Sequence, residues 1–222
     1  MTARTVVPPT ASISDALDRL GLPGSLHGIG PLAPNQRASG PVFTVRYAPV
    51  DEHGGTVGDF LDDVPEGAVV LIDNDGRTDC TVWGGIMSRL ASSRGVAATV
   101  INGVCRDTAI ALETGYPLWS AGRFMRTGKD RVRIAAAQVD LVIDGVTIHP
   151  GDLLIGDDDG VVVVPAERSS DVLALAEQIE QVEDAIVADV RAGMPLHRAR
   201  AVHGYHSLQT YQADRTETKE PR

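Results

Sequence analysis

Two short motifs, a glycine pair and an Arg-Asp pair, contain the residues of this chain best suited to chemistry. Gly84 and Gly85 open an amphipathic segment, an apolar strand follows over residues 97–101, and Arg106 and Asp107 stand where the next helix begins. Backbone N–H groups at a helix N-terminus bind anions, and the helix dipole adds to the attraction. Arginine presents a planar fork to a carboxylate or an enolate, and aspartate is a hard oxygen ligand for Mg²⁺ or Mn²⁺. Together these residues could hold a small keto acid against a divalent metal.

The position of the Arg-Asp pair favours a functional interpretation. Ligands of α/β sheets bind beyond the carboxyl ends of the strands. Arg106 and Asp107 follow an apolar strand. Asn102-Gly103, which lies between that strand and the pair, is predicted to be a tight turn. Taken alone, such a pair could be a simple helix start, with Asp107 complementing the dipole and Arg106 in a surface ion pair.

The composition of the chain narrows the classes of function. Its 222 residues favour a single domain, and a formal net charge of -10 argues against a nucleic-acid surface, because phosphate binding needs clustered Lys and Arg. An acidic surface would suit a basic protein partner. No apolar run approaches the ~20 residues of a membrane-spanning helix, and the N-terminus lacks the apolar core of a signal peptide, so a cytoplasmic location is expected. Cys105, one of two cysteines, is interpreted as a packed small hydrophobe.

Lysine usage bears on how the chain could act on carbonyl compounds. Lysine occurs only at Lys129 and Lys219. A Schiff-base enzyme needs a lysine with a lowered pKa in an apolar pocket. Lys219 belongs to a polar tail, and the sequence around Lys129 predicts an exposed turn. Chemistry assisted by a metal is therefore favoured over a Schiff base.

The first half of the chain alternates strands and helices. A helix over residues 12–20 opens the chain. The predicted strands cover residues 42–47, 68–73, 97–101 and 117–121. Helices are predicted over residues 84–94 and 107–114, and a short helix is predicted within residues 51–63. This order is typical of parallel βαβ pairing. Strands without polar alternation are buried on both faces, as in sheets covered by helices.

The second half is rich in strands and turns. Residues 132–148 alternate and are broken by Asp144-Gly145, a hairpin signal. The acidic run 157–160 is predicted to be a solvated turn, because the glutamate that ends a calcium-binding EF-hand loop is missing. A long helix over residues 167–192 ends at a glycine, and the segment 203–206 is interpreted as docking at a subunit edge.

Five motifs carry a resemblance to a known family: Gly40-Pro41-Val42, Trp83-Gly84-Gly85, Asn102-Gly103-Val104-Cys105-Arg106-Asp107, Pro150-Gly151-Asp152 and the run from Asp158 to Pro165. With these motifs the chain resembles the RraA-like family, which includes the regulator of ribonuclease E activity A and 4-hydroxy-4-methyl-2-oxoglutarate aldolases. The resemblance implies a three-layer α/β/β sandwich related to swivelling phosphohistidine domains, with a long C-terminal helix. It also implies trimers or hexamers with sites between subunits. The expected organisation is an N-terminal extension (1–10), one domain (11–193) and a partly mobile tail (194–222).

The resemblance also implies an activity and a set of site residues. The aldolases of the family are metal-dependent lyases that release pyruvate from a 2-oxo acid, and oxaloacetate decarboxylation would pass through the same enolate. Arg106 would bind pyruvate, Asp107 would hold Mg²⁺ or Mn²⁺, and Glu183 of an adjacent subunit's C-terminal helix would position a metal-bound water. Backbone amides would also bind pyruvate, namely those of Gly84, Gly85, Ile86 and Met87.

One residue departs from the aldolase pattern, and it leaves a second function open. The aldolase pattern has a carboxylate three residues after the metal-binding aspartate, whereas this chain has Ile110. Loss of a supporting carboxylate typically weakens metal binding ~10–100-fold. The alternative is a non-catalytic modulator that binds a ribonuclease, and the acidic surface would suit it. A methyltransferase is not supported, since no Gly-rich nucleotide loop follows the first strand.

Overall fold

The computed structural model describes residues 7–51, 57–208 and 210. The chain divides into two compact units: Gly24–Ser169, which we call the sheet unit, and Met1–Pro23 with Ser170–Arg222, which we call the terminal unit. Of the predicted C-terminal tail (194–222), residues 209 and 211–222 lie outside the described residues, as do residues 1–6 of the predicted N-terminal extension.

Five helices and eleven strands form the described part of the chain. The helices are α1 (Thr10–Leu20), α2 (Gly85–Ser93), α3 (Thr108–Thr114), α4 (Ser169–Arg191) and α5 (Leu196–Val202). The first six strands are β1 (Ser25–Leu26), β2 (Gly30–Pro31), β3 (Ala38–Pro49), β4 (Val69–Asp73), β5 (Ala98–Cys105) and β6 (Leu118–Arg123). The other five are β7 (Val132–Ala137), β8 (Leu141–Ile143), β9 (Val146–Ile148), β10 (Leu153–Gly156) and β11 (Val161–Val164). Short 3₁₀ turns occur at Asp59–Asp63, Ala166–Arg168 and Tyr205–Ser207.

The sheet unit is built on four parallel strands in the order β3-β4-β5-β6. Helix α2 connects β4 to β5, and α3 connects β5 to β6. The predicted βαβ pairing is therefore confirmed. Antiparallel strands extend both edges, with β10, β11 and β1 beyond β3 and with β2 beyond β6, while β7 pairs with the far half of β3.

The central strands are buried on both faces, so the unit has two apolar cores. Val70 and Ile72 of β4 pack in one core with Ala91 of α2 and Ala111 of α3. The alternate residues of the same strands, such as Leu71, pack in the other core with the hairpin β8-β9. Helices on one face of the sheet and a β hairpin on the other give the predicted α/β/β layers. The relation to swivelling phosphohistidine domains stays a prediction.

The structure corrects the prediction for the end of β5. The turn predicted at Asn102-Gly103 is wrong, because the strand continues through both residues to Cys105. The register against β6 shifts between Ile101 and Val104, and the Asn102 side chain donates to Asp73 Oδ1 at 2.9 Å. A bulge inserts residues without ending a strand, which local sequence cannot distinguish from a turn. Arg106 and Asp107 therefore follow the strand directly.

Two turns predicted in the second half of the chain are confirmed. Asp144 and Gly145 have φ of 51° and 80°, as a two-residue type I′ hairpin requires, and they join β8 to β9. The acidic run lies between β10 and β11, where the amide of Asp157 donates to the carbonyl of Gly160 at 3.0 Å. Its aspartates therefore belong to a solvated turn between paired strands.

Asp152 is a buried carboxylate that fixes two backbone segments of the sheet unit. Its Oδ2 accepts from the amide of His149 at 2.8 Å, and its Oδ1 accepts from the amide of Ala166 at 3.0 Å. Asp152→Asn would turn an NH₂ group toward one of these donors and leave it unsatisfied. We expect a loss of about 1–3 kcal/mol in the free energy of unfolding, measured by urea titration. The exposed control Asp158→Asn should change it by less than about 0.5 kcal/mol, and equal stability of both variants would contradict the assignment.

In the terminal unit, the predicted first helix and long helix are confirmed as α1 and α4. Gly193, with φ of 101°, follows the end of α4. Helix α5 lies within the predicted C-terminal tail and was not predicted from the sequence; Pro195 precedes it as N-cap. His203 Nε2 lies 2.8 Å from Asp189 Oδ2 of α4. No helix among the described residues is both long and apolar enough to cross a membrane.

Candidate active site

A cavity of about 410 Å³ in the sheet unit brings most of the predicted site residues together. Two short segments that the sequence singled out line it, Trp83 to Met87 and Arg106-Asp107. The remaining lining residues are Val57, Thr81, Val82, Thr127 and Lys129. The volume is at the small end of the range typical of ligand sites, which is ~300–1,000 Å³.

The glycine pair allows the Arg-Asp segment to approach the start of α2. A Cβ on Gly84 would lie 2.9 Å from Asp107 Oδ2 and 3.3 Å from Arg106 Nε. Any side chain at this position would therefore displace the two groups proposed for chemistry. Because the first N–H groups of a helix have no partners within it, the start of α2 presents donors to an anion.

Asp107 adopts an unusual backbone conformation that directs its side chain to α2. It precedes α3 with φ of 55°, in the left-handed region that aspartate tolerates better than most residues. An aspartate at this position commonly caps its own helix. Here Oδ2 instead accepts from the amide of Gly85 at 2.9 Å. A carboxylate has about four lone-pair sites, so Asp107 retains capacity for a further ligand. The Gly85 amide, predicted to bind substrate, thus orients the carboxylate.

Arg106 is fixed at its backbone and extends its guanidinium along the cavity. Its amide donates to the carbonyl of Trp83 at 3.1 Å, and Nη1 donates to the carbonyl of Met125 at 3.5 Å. Nε lies 3.6 Å from Asp107 Oδ2, and the side chain is 38% exposed. Exposure of more than a third keeps the remaining donors of the fork available to a ligand. The guanidinium and the start of α2 therefore line the same space.

Thr81 is a positioning residue that the sequence analysis missed. Its backbone forms parallel bridges to both Val104 and Thr127. Its hydroxyl oxygen lies 2.8 Å from the carbonyl oxygen of Val104 and 3.0 Å from that of Trp83, so its single hydrogen is shared between the two. Thr81 thereby joins the three segments that line the cavity. No sequence signal marks it, because the two contacting segments are distant along the chain.

Buried aromatic residues support the wall of the cavity. The Trp83 indole donates to Ser88 Oγ at 3.0 Å, and its ring stacks on Tyr116 with centroids 6.0 Å apart. Burial raises the pKa of Tyr116, whose hydroxyl pairs with Thr99 Oγ1 at 2.9 Å. Burial likewise raises the pKa of the Cys105 thiol. Cys105 is fully buried, which confirms its interpretation as a packed small hydrophobe.

Ile110 occupies the position where the aldolase pattern has a carboxylate. Its Cδ1 lies 2.4 Å from where a Cβ on Gly85 would be, so the isoleucine packs directly against the glycine. Ile110 is one helical turn after Asp107 and contacts the same residue of α2. This side of Asp107 is therefore apolar in this protein.

The donor set fits a hard, weakly held divalent ion. Among the described residues that line the cavity, Asp107 is the one carboxylate. Within the described ranges no cluster of three or more His, Cys, Asp or Glu side chains could hold a metal. Mg²⁺ typically binds through one or two carboxylates and completes its shell with water and substrate oxygens. Asp107 fits that role. Glu183 is half-buried on α4 in the terminal unit, and its role stays a prediction.

Comparison with known proteins gives one family and several named relatives. Residues 10–163 match the RraA-like family, described as Aldolase/RraA. The chain is 38% identical over 199 residues to Protein DlpA of Legionella pneumophila, covering 88% of this chain and 32% of DlpA, so it spans about a third of that relative. It is 34% identical over 178 residues to "Putative 4-hydroxy-4-methyl-2-oxoglutarate aldolase" of Halalkalibacterium halodurans, covering 79% and 81% of the two chains.

A solved structure with a similar fold has a different description. The crystal structure of Streptomyces coelicolor RraAS2 is described as an unusual member of the RNase ES inhibitor RraA protein family. It matches with a TM-score of 0.71 and 30% identity, over 78% of this chain and 88% of that one. The relatives thus include both a protein named as a putative aldolase and a member of an RNase ES inhibitor family.

Proposed function

The chain belongs to the RraA-like family, and from this premise we propose that it is a divalent-metal-dependent lyase that releases pyruvate from a 2-oxo acid. The observation that carries the proposal is the convergence of Arg106, Asp107 and the start of α2 on one small cavity. Substrates of the 4-hydroxy-4-methyl-2-oxoglutarate type are expected, with oxaloacetate as a second substrate.

The hydrogen-bond donors in the cavity suit the pyruvate half of the substrate. The Arg106 guanidinium suits the planar carboxylate, because its N–H groups form a rigid fork. The N–H groups of Ile86 and Met87, in the first turn of α2, add donors and the positive end of a helix dipole. The 2-oxo carboxylate and the keto oxygen would both find partners here.

Cleavage needs stabilisation of developing negative charge. When the bond between C3 and C4 breaks, its electron pair remains on the three-carbon fragment as an enolate. Arg106 donates to that oxygen, and donors fixed before the reaction lower the barrier most. A divalent ion held by Asp107 would supply further charge stabilisation as a Lewis acid. Loss of CO₂ from oxaloacetate leaves the same enolate, so one site would serve both reactions.

An adjacent copy of the chain completes the proposed site. We assign Glu183 of that copy the task of positioning a water molecule, within a trimer or hexamer. Glu183 is half-buried on α4, a helix of 23 residues. Mass measurement in solution, together with mixing of inactive Arg106→Ala and Glu183→Gln chains, tests this arrangement. Recovered activity in the mixture is expected for a shared site.

A panel of 2-oxo acids tests the proposed function. Pyruvate release from 4-hydroxy-4-methyl-2-oxoglutarate and from oxaloacetate is followed by coupling to lactate dehydrogenase. We expect turnover with Mg²⁺ or Mn²⁺, loss of turnover in excess EDTA, and recovery when the metal is returned. Turnover that persists unchanged in EDTA would exclude the metal-dependent lyase.

Replacing Ile110 by a carboxylate is expected to raise the affinity of the site for a divalent metal. Ile110→Glu would bring a second carboxylate to the side of Asp107 that is now apolar. Since supporting groups typically change metal affinity ~10–100-fold, we expect Mn²⁺ to bind more tightly by about that factor. The measurement is calorimetric titration with Mn²⁺, which does not depend on activity. The exposed residue Leu112 on the same helix gives the control Leu112→Glu, and equal affinities in both variants would contradict the prediction.

A second candidate function is inhibition of a ribonuclease. The net charge of -10 and the description of RraAS2 favour it. An acidic surface accelerates association with a basic partner, and salt weakens that association. Inhibition of a ribonuclease of the RNase ES type that is unchanged by Arg106→Ala, in a chain that releases no pyruvate, would favour this function over the lyase.

A further inference from the structure

Lys129 lies in the same cavity as Arg106 and Asp107, although its sequence indicated only an exposed turn. The turn is confirmed, and the side chain is exposed. What the sequence did not indicate is that this turn borders the candidate site. Lys129 therefore brings an ionisable side chain to the border of the space where the pyruvate half would bind.

The backbone that carries Lys129 is held firmly against the site. Thr127 forms a bridge with Thr81, and a Cβ on Gly128 would lie only 2.5 Å from the carbonyl oxygen of Thr81. The amide of Lys129 donates to Thr127 Oγ1 at 3.2 Å, and Arg131 Nη1 donates to the carbonyl of Lys129 at 3.3 Å. The fixed backbone holds Lys129 at the border of the site. Its long side chain can then reach a reacting atom.

The proposed reaction requires a proton donor that has not yet been assigned. Release of pyruvate requires that the C3 carbon of the enolate gain a proton. Three lining residues within the described ranges have ionisable side chains: Arg106, Asp107 and Lys129. Arginine does not give up its proton in proteins. Asp107 already accepts from the Gly85 amide and is assigned to the metal. Lys129 remains.

Resting on the proposed function, we propose that Lys129 is the acid that protonates C3 of the pyruvate enolate. The enolate electron pair forms the new C3–H bond, the C2 carbonyl re-forms, and the ammonium becomes a neutral amine. Because the side chain is exposed, water returns the proton before the next turnover. In the reverse direction, the neutral amine takes a proton from the methyl group of pyruvate.

A different role for Lys129 would be to bind a second anionic group of the substrate. Pyruvate separates the two roles, because it has no second anionic group. Exchange of its methyl protons with D₂O requires only formation and protonation of the enolate. A lysine that only recognises a distal carboxylate would leave this exchange unchanged.

The test is methyl exchange of pyruvate in D₂O with Mg²⁺, followed by proton NMR. General acid–base groups contribute ~10²–10⁴-fold, so Lys129→Met should slow exchange by at least about 100-fold. Binding of oxalate, measured by calorimetry, should change far less. The control is Arg126→Met, a neighbouring exposed cation that stacks on Phe124 and does not line the cavity.

Chemical rescue distinguishes proton transfer from loss of structure. Lys129→Cys is alkylated with bromoethylamine, which restores an amine of similar length. The native Cys80 and Cys105 are buried, and burial raises the pKa of both thiols, so the reagent should modify the new cysteine. We expect recovery of exchange. If Lys129→Met exchanges the methyl protons at the wild-type rate, or if alkylation of Lys129→Cys restores no exchange, the role of Lys129 as the acid is overturned. The proposed function is untouched by either result. Absence of exchange and of pyruvate release in the wild type would overturn the proposed function as well.

Discussion

Replacing Asp107 by asparagine is expected to lower Mg²⁺-dependent pyruvate release by at least about 100-fold, because even supporting groups of a metal site are worth ~10–100-fold. Asparagine still accepts the bond from the Gly85 amide and tolerates the left-handed conformation. The substitution therefore removes the negative charge while the local structure is kept. The assay is pyruvate release from oxaloacetate, measured over a range of Mg²⁺ concentrations.

A matched control for Asp107→Asn lies elsewhere in the sheet unit. Asp75 has the same φ of 55°, is exposed, and does not line the candidate cavity. Asp75→Asn should leave turnover within about twofold of the wild type, since exposed changes of this kind usually cost less than ~0.5 kcal/mol. Full activity of Asp107→Asn at low Mg²⁺ concentration would show that this carboxylate does not hold the metal.

Arg106→Ala is expected to reduce kcat/KM for pyruvate release by about 100- to 1000-fold, the usual effect of removing one donor to a developing oxyanion. The variant loses the planar fork that pairs with the carboxylate and the guanidinium charge near the enolate. Arg106→Lys should recover only a small part of the activity, because an ammonium cannot reproduce the two parallel donors. Initial rates with oxaloacetate at saturating Mg²⁺ give the measurement.

The control for Arg106 is Arg89→Ala. Arg89 is exposed on α2 and does not line the cavity, so its removal changes the net charge equally without touching the site. If both arginine variants lose the same activity, the effect comes from overall charge, and Arg106 has no direct role in catalysis.

The sequence predicted the elements that position the site because their patterns are local. Apolar strands without alternation indicated a sheet buried on both faces, and the glycine pair indicated the start of α2. Both are confirmed, as is the hairpin at Asp144-Gly145. Each pattern depends on residues within a few positions of one another, which is the range over which sequence periodicity carries information.

The site features that escaped prediction depend on contacts between distant segments. The turn expected at Asn102-Gly103 is a bulge, and Thr81 lies alongside Val104 where β5 continues beyond it. Those two residues are far apart in the chain, so neither predicts the other. Lys129 likewise enters the cavity only because Thr127 is held against Thr81. Contacts of this kind between distant segments determine which residues border the site.

A crystal structure of the protein with Mg²⁺ and oxalate tests the central claim most directly. Oxalate is planar and anionic, and so stands in for the pyruvate enolate. We expect its oxygens within hydrogen-bond distance of the Arg106 guanidinium and the first amides of α2, with one Asp107 oxygen bound to the ion. Oxalate and Mg²⁺ bound away from Arg106 and Asp107, at concentrations that support turnover, would contradict the proposed site.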